Sequence, residues 1–227
     1  MSKLKSEMIS INISPELKML CPDLRLSCIE ADVIVEESCS ALSSEIVDRI
    51  RQINQSLVIE DISKIPVINA SRKAYKACGK DPARYRLSAE ALLRRVVSGK
   101  GLYPISNVVD QLNLVSISTG FSIGGYDASR IQGKITFGIG IADESYSGIG
   151  KGGLNIENLP VFRDGQGAFG SPTSDSPRTE VTTNTKRFLM ILIDFGGNIQ
   201  LESACQLAIR LLKDYCHATN ITAYKIK

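Results

Sequence analysis

Asn107, Asp110, Asn113 and Ser116 recur at every third residue between Pro104 and Gly120. On a helix this spacing makes one slanting polar row. Asn and Asp are poor helix formers, and a plain solvent face more often uses Lys, Glu or Gln. Short amides and carboxylates with few rotamers suit a shaped pocket or a brace from helix to loop; a solvent-facing row is the alternative. A second polar display lies at Ser176–Thr185, where hydroxyls crowd a strand or turn region. A third candidate, Gly148-Ile-Gly150-Lys-Gly152-Gly153, matches GxGxxG in form. No helical pattern follows it, so a dinucleotide site fails its context and a flexible loop is expected.

Other chemistries are excluded by count. The single histidine, His217, rules out any site needing two, and it falls at the end of a C-terminal helix, poorly placed for a Ser-His-Asp triad. Six cysteines, at 21, 28, 39, 78, 205 and 216, contain no CxxC pair. A zinc site or a disulfide framework is therefore not expected, and the cysteines read as buried small hydrophobes. No metal or cofactor is expected. No apolar run reaches the ~18–20 residues of a membrane span. The N-terminal MSKLKSEMISINIS lacks the apolar core of a secretory signal, which predicts a cytoplasmic protein.

The net charge of +3 conceals a local imbalance. Between Arg72 and Lys100 stand nine bases (Arg72, Lys73, Lys76, Lys80, Arg84, Arg86, Arg94, Arg95 and Lys100) against two acids, Asp81 and Glu90. Such a patch on a near-neutral protein suits a polyanion contact, or simply two solvated helix faces.

These residues need elements to hold them. Ile9, Ile11 and Ile13 alternate with polar residues as a short strand, and Leu24 to Val35 runs with period two. Leu42, Ile46, Ile50, Ile53 and Leu57 mark an amphipathic helix. Asp81-Pro82 reads as a helix N-cap with its first residue, and Ser88 as a second N-cap with Glu90 in the first turn. Gly99 ends that helix, and Pro104 starts the next. Gly120, Gly124 and Gly125 mark tight backbone. Ile135, Phe137, Ile139 and Ile141 alternate with Thr136, Gly138 and Gly140, giving a strand with one nearly bare face, open to a ligand or another backbone. Asp164–Asp175 reads as a loop, Arg187–Phe195 as a central strand, and Leu201–Tyr215 as a helix followed by a polar tail. Helices and strands mix without strict alternation, so the fold class is α+β, mixed sheets with packed helices. The apolar share of 43% is ordinary for a globular chain, and the 227 residues suit one large domain or two small ones sharing a core.

Four stretches then carry a family resemblance: GKDPARYRLSAEALLRR (79–95), NVVDQLNLVSISTGFSIGGYD (107–127), GSPTSD (170–175) and RTEVTTNT (178–185). In that order they resemble the B3/4 domain, the editing domain of the phenylalanyl-tRNA synthetase beta subunit, and most closely its free-standing relatives. The resemblance implies one B3/4-like domain over residues 1–227, with an N-terminal strand-strand-helix part (1–70) and a motif-bearing core (71–227). It also implies hydrolysis of the ester between a wrong amino acid and its tRNA, tyrosine in the synthetase and non-protein amino acids such as an arginine mimic in some free-standing relatives. An aminoacyl ester is already activated and needs only an oriented water and a polarised carbonyl.

Carried onto this chain, the resemblance makes Asn113, Asp110 and Asp127 the catalytic candidates. Ser88, Glu90, Asn107, Gly124, Gly125, Arg178, Thr179 and Thr182 would bind substrate. Arg84, Arg86, Arg94 and Arg95 would hold the aminoacylated 3′ end of tRNA. Gly124 stands where the family has a pocket His, Leu112 where it has a Thr, and an apolar residue near Ile191 where it has the Glu that reads the tyrosine hydroxyl. These departures imply a pocket reshaped for another amino acid, or one without activity. The alternative is therefore a non-catalytic module that binds tRNA or an amino acid, and a weaker one is a hydrolase of small esters or amides.

Overall fold

The computed structural model describes residues 8–227. The expectation of a leaderless N-terminus thus lies partly outside the described residues. Strand β1 (Ile11–Ile13) passes through Ser14, whose hydroxyl accepts the Leu17 N–H at 3.2 Å, into helix α1 (Pro15–Leu20), which has proline at its first position. Strand β2 (Arg25–Asp32) leads to helices α2 (Ser40–Ser56), α3 (Ile59–Ile62), α4 (Pro66–Ala77), α5 (Ser88–Val97) and α6 (Asn107–Thr119). The remainder holds β3 (Ser122–Asp127), β4 (Ile135–Ile139), β5 (Ser147–Gly148), β6 (Gly152–Gly153), β7 (Pro160–Asp164), β8 (Gly167–Gly170), β9 (Arg187–Asp194), α7 (Leu201–Tyr215) and β10 (Thr219–Ile226).

The central sheet has strand order β10-β2-β9-β3 and is antiparallel throughout. A second sheet, β1-β4-β7-β8, has one parallel pair, β1 with β4. The run Phe188 to Ile193 is apolar at every position because both faces of β9 are covered. Phe188, Met190 and Leu192 pack with Val108, Val115, Ala208 and Leu211 of the helices. Leu189, Ile191 and Ile193 face Phe137, Phe162 and Phe169 of the second sheet. The result is three layers: helices, central sheet, second sheet. β2, from the N-terminal part of the chain, pairs with β9 along all eight residues, so it is integral to the central sheet.

The α+β class and the central strand are as expected, and several boundaries differ. Helix α6 starts at Asn107 rather than Pro104, because Ser106 is extended and its hydroxyl accepts the Val109 N–H. Asp81-Pro82 opens only one turn, with the Ala83 N–H bonded to Asp81 Oδ1. The chain leaves that turn as Tyr85 and Leu87 join an apolar cluster with Tyr75 and Tyr146. Ser88 is the first helical residue, not the cap. The stretch Asp164–Asp175 includes β8. Gly148–Gly153 is a small hairpin rather than a loose loop. The bare face expected on β4 is covered: Gly138 faces the Ser14 side chain, and just past the strand a Cβ on Gly140 would collide with the Ile156 carbonyl. The polar tail is strand β10, whose alternation is interrupted by a register shift between Thr219 and Thr222. Five cysteines are buried, and Cys39 is exposed. Among the described residues no helix is long and apolar enough to cross a membrane.

Candidate functional site

The polar row of α6 divides by partner. Asn107 is 1% exposed and fully engaged: its Oδ1 accepts the Glu36 N–H at 3.0 Å, and its amide donates to the Ile34 and Tyr215 carbonyls. Asp110 is buried, accepting the Ser38 hydroxyl at 2.5 Å and the Ile105 N–H at 3.0 Å. Ser116 donates to the Phe121 carbonyl. These three tie the helix to its flanking loops. Asn113 is half-buried and makes no side-chain hydrogen bond among the described residues. An amide held at a partly closed surface without a partner is the member of the row free to meet a ligand.

The other candidates are mostly braces. Asp127 ends β3, accepting the Ser129 N–H and hydroxyl on one oxygen and the Thr185 hydroxyl at 2.8 Å on the other. Thr182 belongs to the turn that presents Thr185: its N–H donates to Thr185 Oγ1 and its hydroxyl accepts the Asn184 N–H. Arg178 lies across the β7–β8 turn, paired with Asp164 at 2.8 Å and bonded to Gln166 and Gly167. Thr179 is wholly buried, and its hydroxyl has no partner among the described residues.

The basic candidates separate in the same way. Glu90, 1% exposed, pairs with Arg72 at 2.8 Å and Arg94 at 3.0 Å, with Arg86 at 3.9 Å. Arg94 is therefore committed inside the fold. Arg95 stacks on the Tyr103 ring at 3.7 Å, and Arg84 lies 5.7 Å from the Tyr85 ring. Arg84 and Arg86 are exposed.

Gly124 and Gly125 converge with a group that the residue pattern did not single out. β3 is the edge of the central sheet, and its two glycines face opposite layers. On the helix side, Leu112 presses against Gly125, so that a Cβ there would meet Leu112 Cδ1 at 2.5 Å. Asn113 is the next residue along that helix. On the other side the Tyr126 ring folds back over Gly124, and its hydroxyl sits where a Cβ of either Gly124 or Gly170 would fall. That hydroxyl donates to Asp175 Oδ1 at 2.9 Å. The backbone N–H groups of Gly125 and Ser171 also turn toward the Asp175 carboxyl.

Burial raises the Asp175 carboxyl to about 7, against the opposing pull of those donors. A carboxyl at that value exchanges protons near neutrality, as a general base requires. Burial, with Asp175 beside it, pushes the Tyr126 phenol well above its ordinary range, so it stays protonated and donating.

The Gly170–Asp175 loop is anchored on three sides. The Ser88 N–H at the start of α5 donates to the Pro172 carbonyl at 2.7 Å. Tyr75 bonds Thr173 Oγ1 at 2.9 Å, and Tyr146 donates to the Ser174 carbonyl at 2.6 Å. Lys151, on the glycine hairpin, donates to the Thr173 carbonyl at 3.1 Å. Ser88, Gly124 and Gly125 thus meet around one loop, with Tyr126 and Asp175 added. The available signal was an acid inside a Gly-Ser-Pro loop, which reads as turn chemistry when seen alone.

Two clefts, of about 410 and 220 Å³, lie elsewhere, between α2 and its helical neighbours, lined by Arg49, Gln52 and Ser118 in common. Neither contains a candidate residue. No cluster of three or more metal-ligating side chains occurs among the described residues.

A family model described as the B3/4 domain matches residues 70–217. An N-terminal fragment of the phenylalanyl-tRNA synthetase beta-subunit from Pyrococcus horikoshii superposes with a TM-score of 0.51 at 14% sequence identity. The match covers 99% of this chain and 56% of that fragment, and it shows a shared fold. No curated protein matches the chain.

Proposed function

Because the chain belongs to the B3/4 domain family, we propose that it is a trans-acting hydrolase of mischarged aminoacyl-tRNA, built as one B3/4-like domain and working in the cytoplasm, where charged tRNA is found. The similar fragment comes from a tRNA synthetase. The observation that carries the catalytic reading is the Asp175 carboxyl, held by Tyr126 at the glycine edge and raised to about 7.

In this reading the ester straddles the β3 edge, and Asn113, on the helix side, donates to its carbonyl oxygen as charge develops there. The Asp175 carboxylate takes a proton from water as the water oxygen bonds to the carbonyl carbon. The bond from that carbon to the ribose oxygen then breaks. The ribose oxygen takes up a proton, leaving free amino acid and tRNA with its hydroxyl restored. Gly124 and Gly125 leave room for Tyr126 and Leu112 to close on the strand, which sets the phenol against Asp175. Asp110, Asn107 and Asp127 position the elements. Arg84, Arg86 and Arg95 contact phosphates.

The internal satisfaction of Asn107, Asp110, Asp127, Glu90 and Arg178 favours a second reading, a binding module without turnover. Release of amino acid from charged tRNA by the wild-type chain and by Asn113→Ala separates the two. Hydrolysis that Asn113→Ala reduces at least tenfold supports the enzyme. Salt-sensitive RNA binding without hydrolysis supports the module.

A further inference from the structure

Resting on the deacylase reading, we propose that Lys151 binds a phosphate of the substrate's single-stranded 3′ end, carried to the site by the Gly148–Gly153 hairpin. The hairpin closes directly on the Gly170–Asp175 loop. The Ile149 N–H donates to the Asp175 carbonyl at 2.8 Å, and a Cβ on Gly148 would meet Ser174 Oγ at 2.9 Å. Gly150 and Gly152 both take φ of +68°, which lets the strands reverse within four residues, with Lys151 exposed at the turn.

The ammonium reaches the Thr173 carbonyl at 3.1 Å and has no carboxylate within ion-pair distance among the described residues. Burial alone lowers its pKa, and no neighbouring acid offsets the effect. A partly desolvated cation without a counter-charge is an electrostatic vacancy for an anion. The α-carboxyl of an aminoacyl ester is bonded to ribose, so the anions common to every such substrate are its phosphodiesters. Leu154, at the hairpin's exit, packs on the same apolar cluster as Tyr85, beside whose ring Arg84 lies exposed.

The test compares wild type, Lys151→Met and Lys151→Arg. One readout is binding of a short single-stranded RNA ending in CCA with an unesterified 3′ end, over a range of salt. The other is hydrolysis of a charged tRNA. Lys151→Met is expected to weaken RNA binding about tenfold and to lower the log–log salt slope by about 0.7, with a fall in Tm of a few degrees at most for the lost bond to Thr173. KM should rise with kcat within about twofold, and Lys151→Arg should keep most of the affinity. An anchor that only held the hairpin would leave the salt slope unmoved. Hydrolysis by wild type with an unaltered slope and KM in Lys151→Met would overturn the Lys151 site and leave the deacylase reading standing. RNA binding that depends on Lys151 without any hydrolysis would do the reverse.

Discussion

The Tyr126 hydroxyl donates to Asp175 at 2.9 Å from a position that only glycine at both 124 and 170 leaves open. The ring is anchored edge-on to Phe169, at 4.9 Å between centroids, so it cannot simply swing aside. Gly124→Ala is expected to push the phenol off Asp175 and to lower stability by about 1–3 kcal/mol, read as a fall of roughly 3–10 °C in Tm. A variant with wild-type Tm and wild-type Asp175 titration would show that the ring yields freely.

Tyr126→Phe keeps the ring and removes the donor. Because that hydrogen bond holds the Asp175 carboxyl down against burial, the variant's carboxyl should titrate above the wild-type value of about 7. Carboxyl-carbon NMR over pH 5–9 reads this directly, and a shift to lower pH would contradict the assignment.

Asp175 also makes stability depend on pH. Its folded value of about 7 lies above the ordinary 3.8, so between those limits the folded chain keeps a proton that the unfolded chain has released. The contribution is fully present below about pH 4 and is lost as pH rises toward about 7. Asp175→Asn removes this component. Urea unfolding at pH 4.5 and 7.5 should therefore show a smaller loss of stability on raising the pH in the variant than in wild type.

Asn113 and Asp110 lie three residues apart on one helix and should respond oppositely to alanine. Asp110→Ala strands the Ser38 hydroxyl and the Ile105 N–H, at a cost of about 2–4 kcal/mol. Asn113→Ala removes no hydrogen bond and should change stability by under about 0.5 kcal/mol while reducing hydrolysis. Chemical denaturation of both variants beside an activity assay checks the pair.

Among the arginines, Arg94→Ala should lower Tm by loosening the buried Glu90. Arg84→Ala and Arg86→Ala should leave Tm nearly unchanged and reduce the salt slope of RNA binding by about 0.7–0.9 each. An equal effect of all three on binding would place Arg94 on the RNA surface after all.

Periodicity made α7 and β9 readable because each shows one regular apolar pattern, a 3.6-residue stripe in one and an unbroken run in the other. It failed at β10, where Thr, Asn and Lys interrupt the alternation and a bulge shifts the register. The unusual composition of α6 marked its row as structured, and Asn107 and Asp110 are indeed buried. Composition could not tell which member would be left unpartnered, since that depends on Glu36, Ser38 and Tyr215, all distant in sequence. Asp175 was hidden for the same reason: its surroundings come from β3, the 170–175 loop and the hairpin together. Gly124, where the family pattern has a His, pairs across the strands with Ile191, near which the family Glu would align. Leu112, the third departure, presses on Gly125 from the helix side.

The most direct measurement is a deacylation time course over a panel of correctly and wrongly charged tRNAs, non-protein amino acids included, with wild type and Asp175→Asn side by side. Wild type is expected to release amino acid from a selected charged tRNA, at a rate that rises with pH through about 7, and Asp175→Asn to release little. Traces at the spontaneous rate for every charged tRNA, from folded wild-type protein, would contradict it.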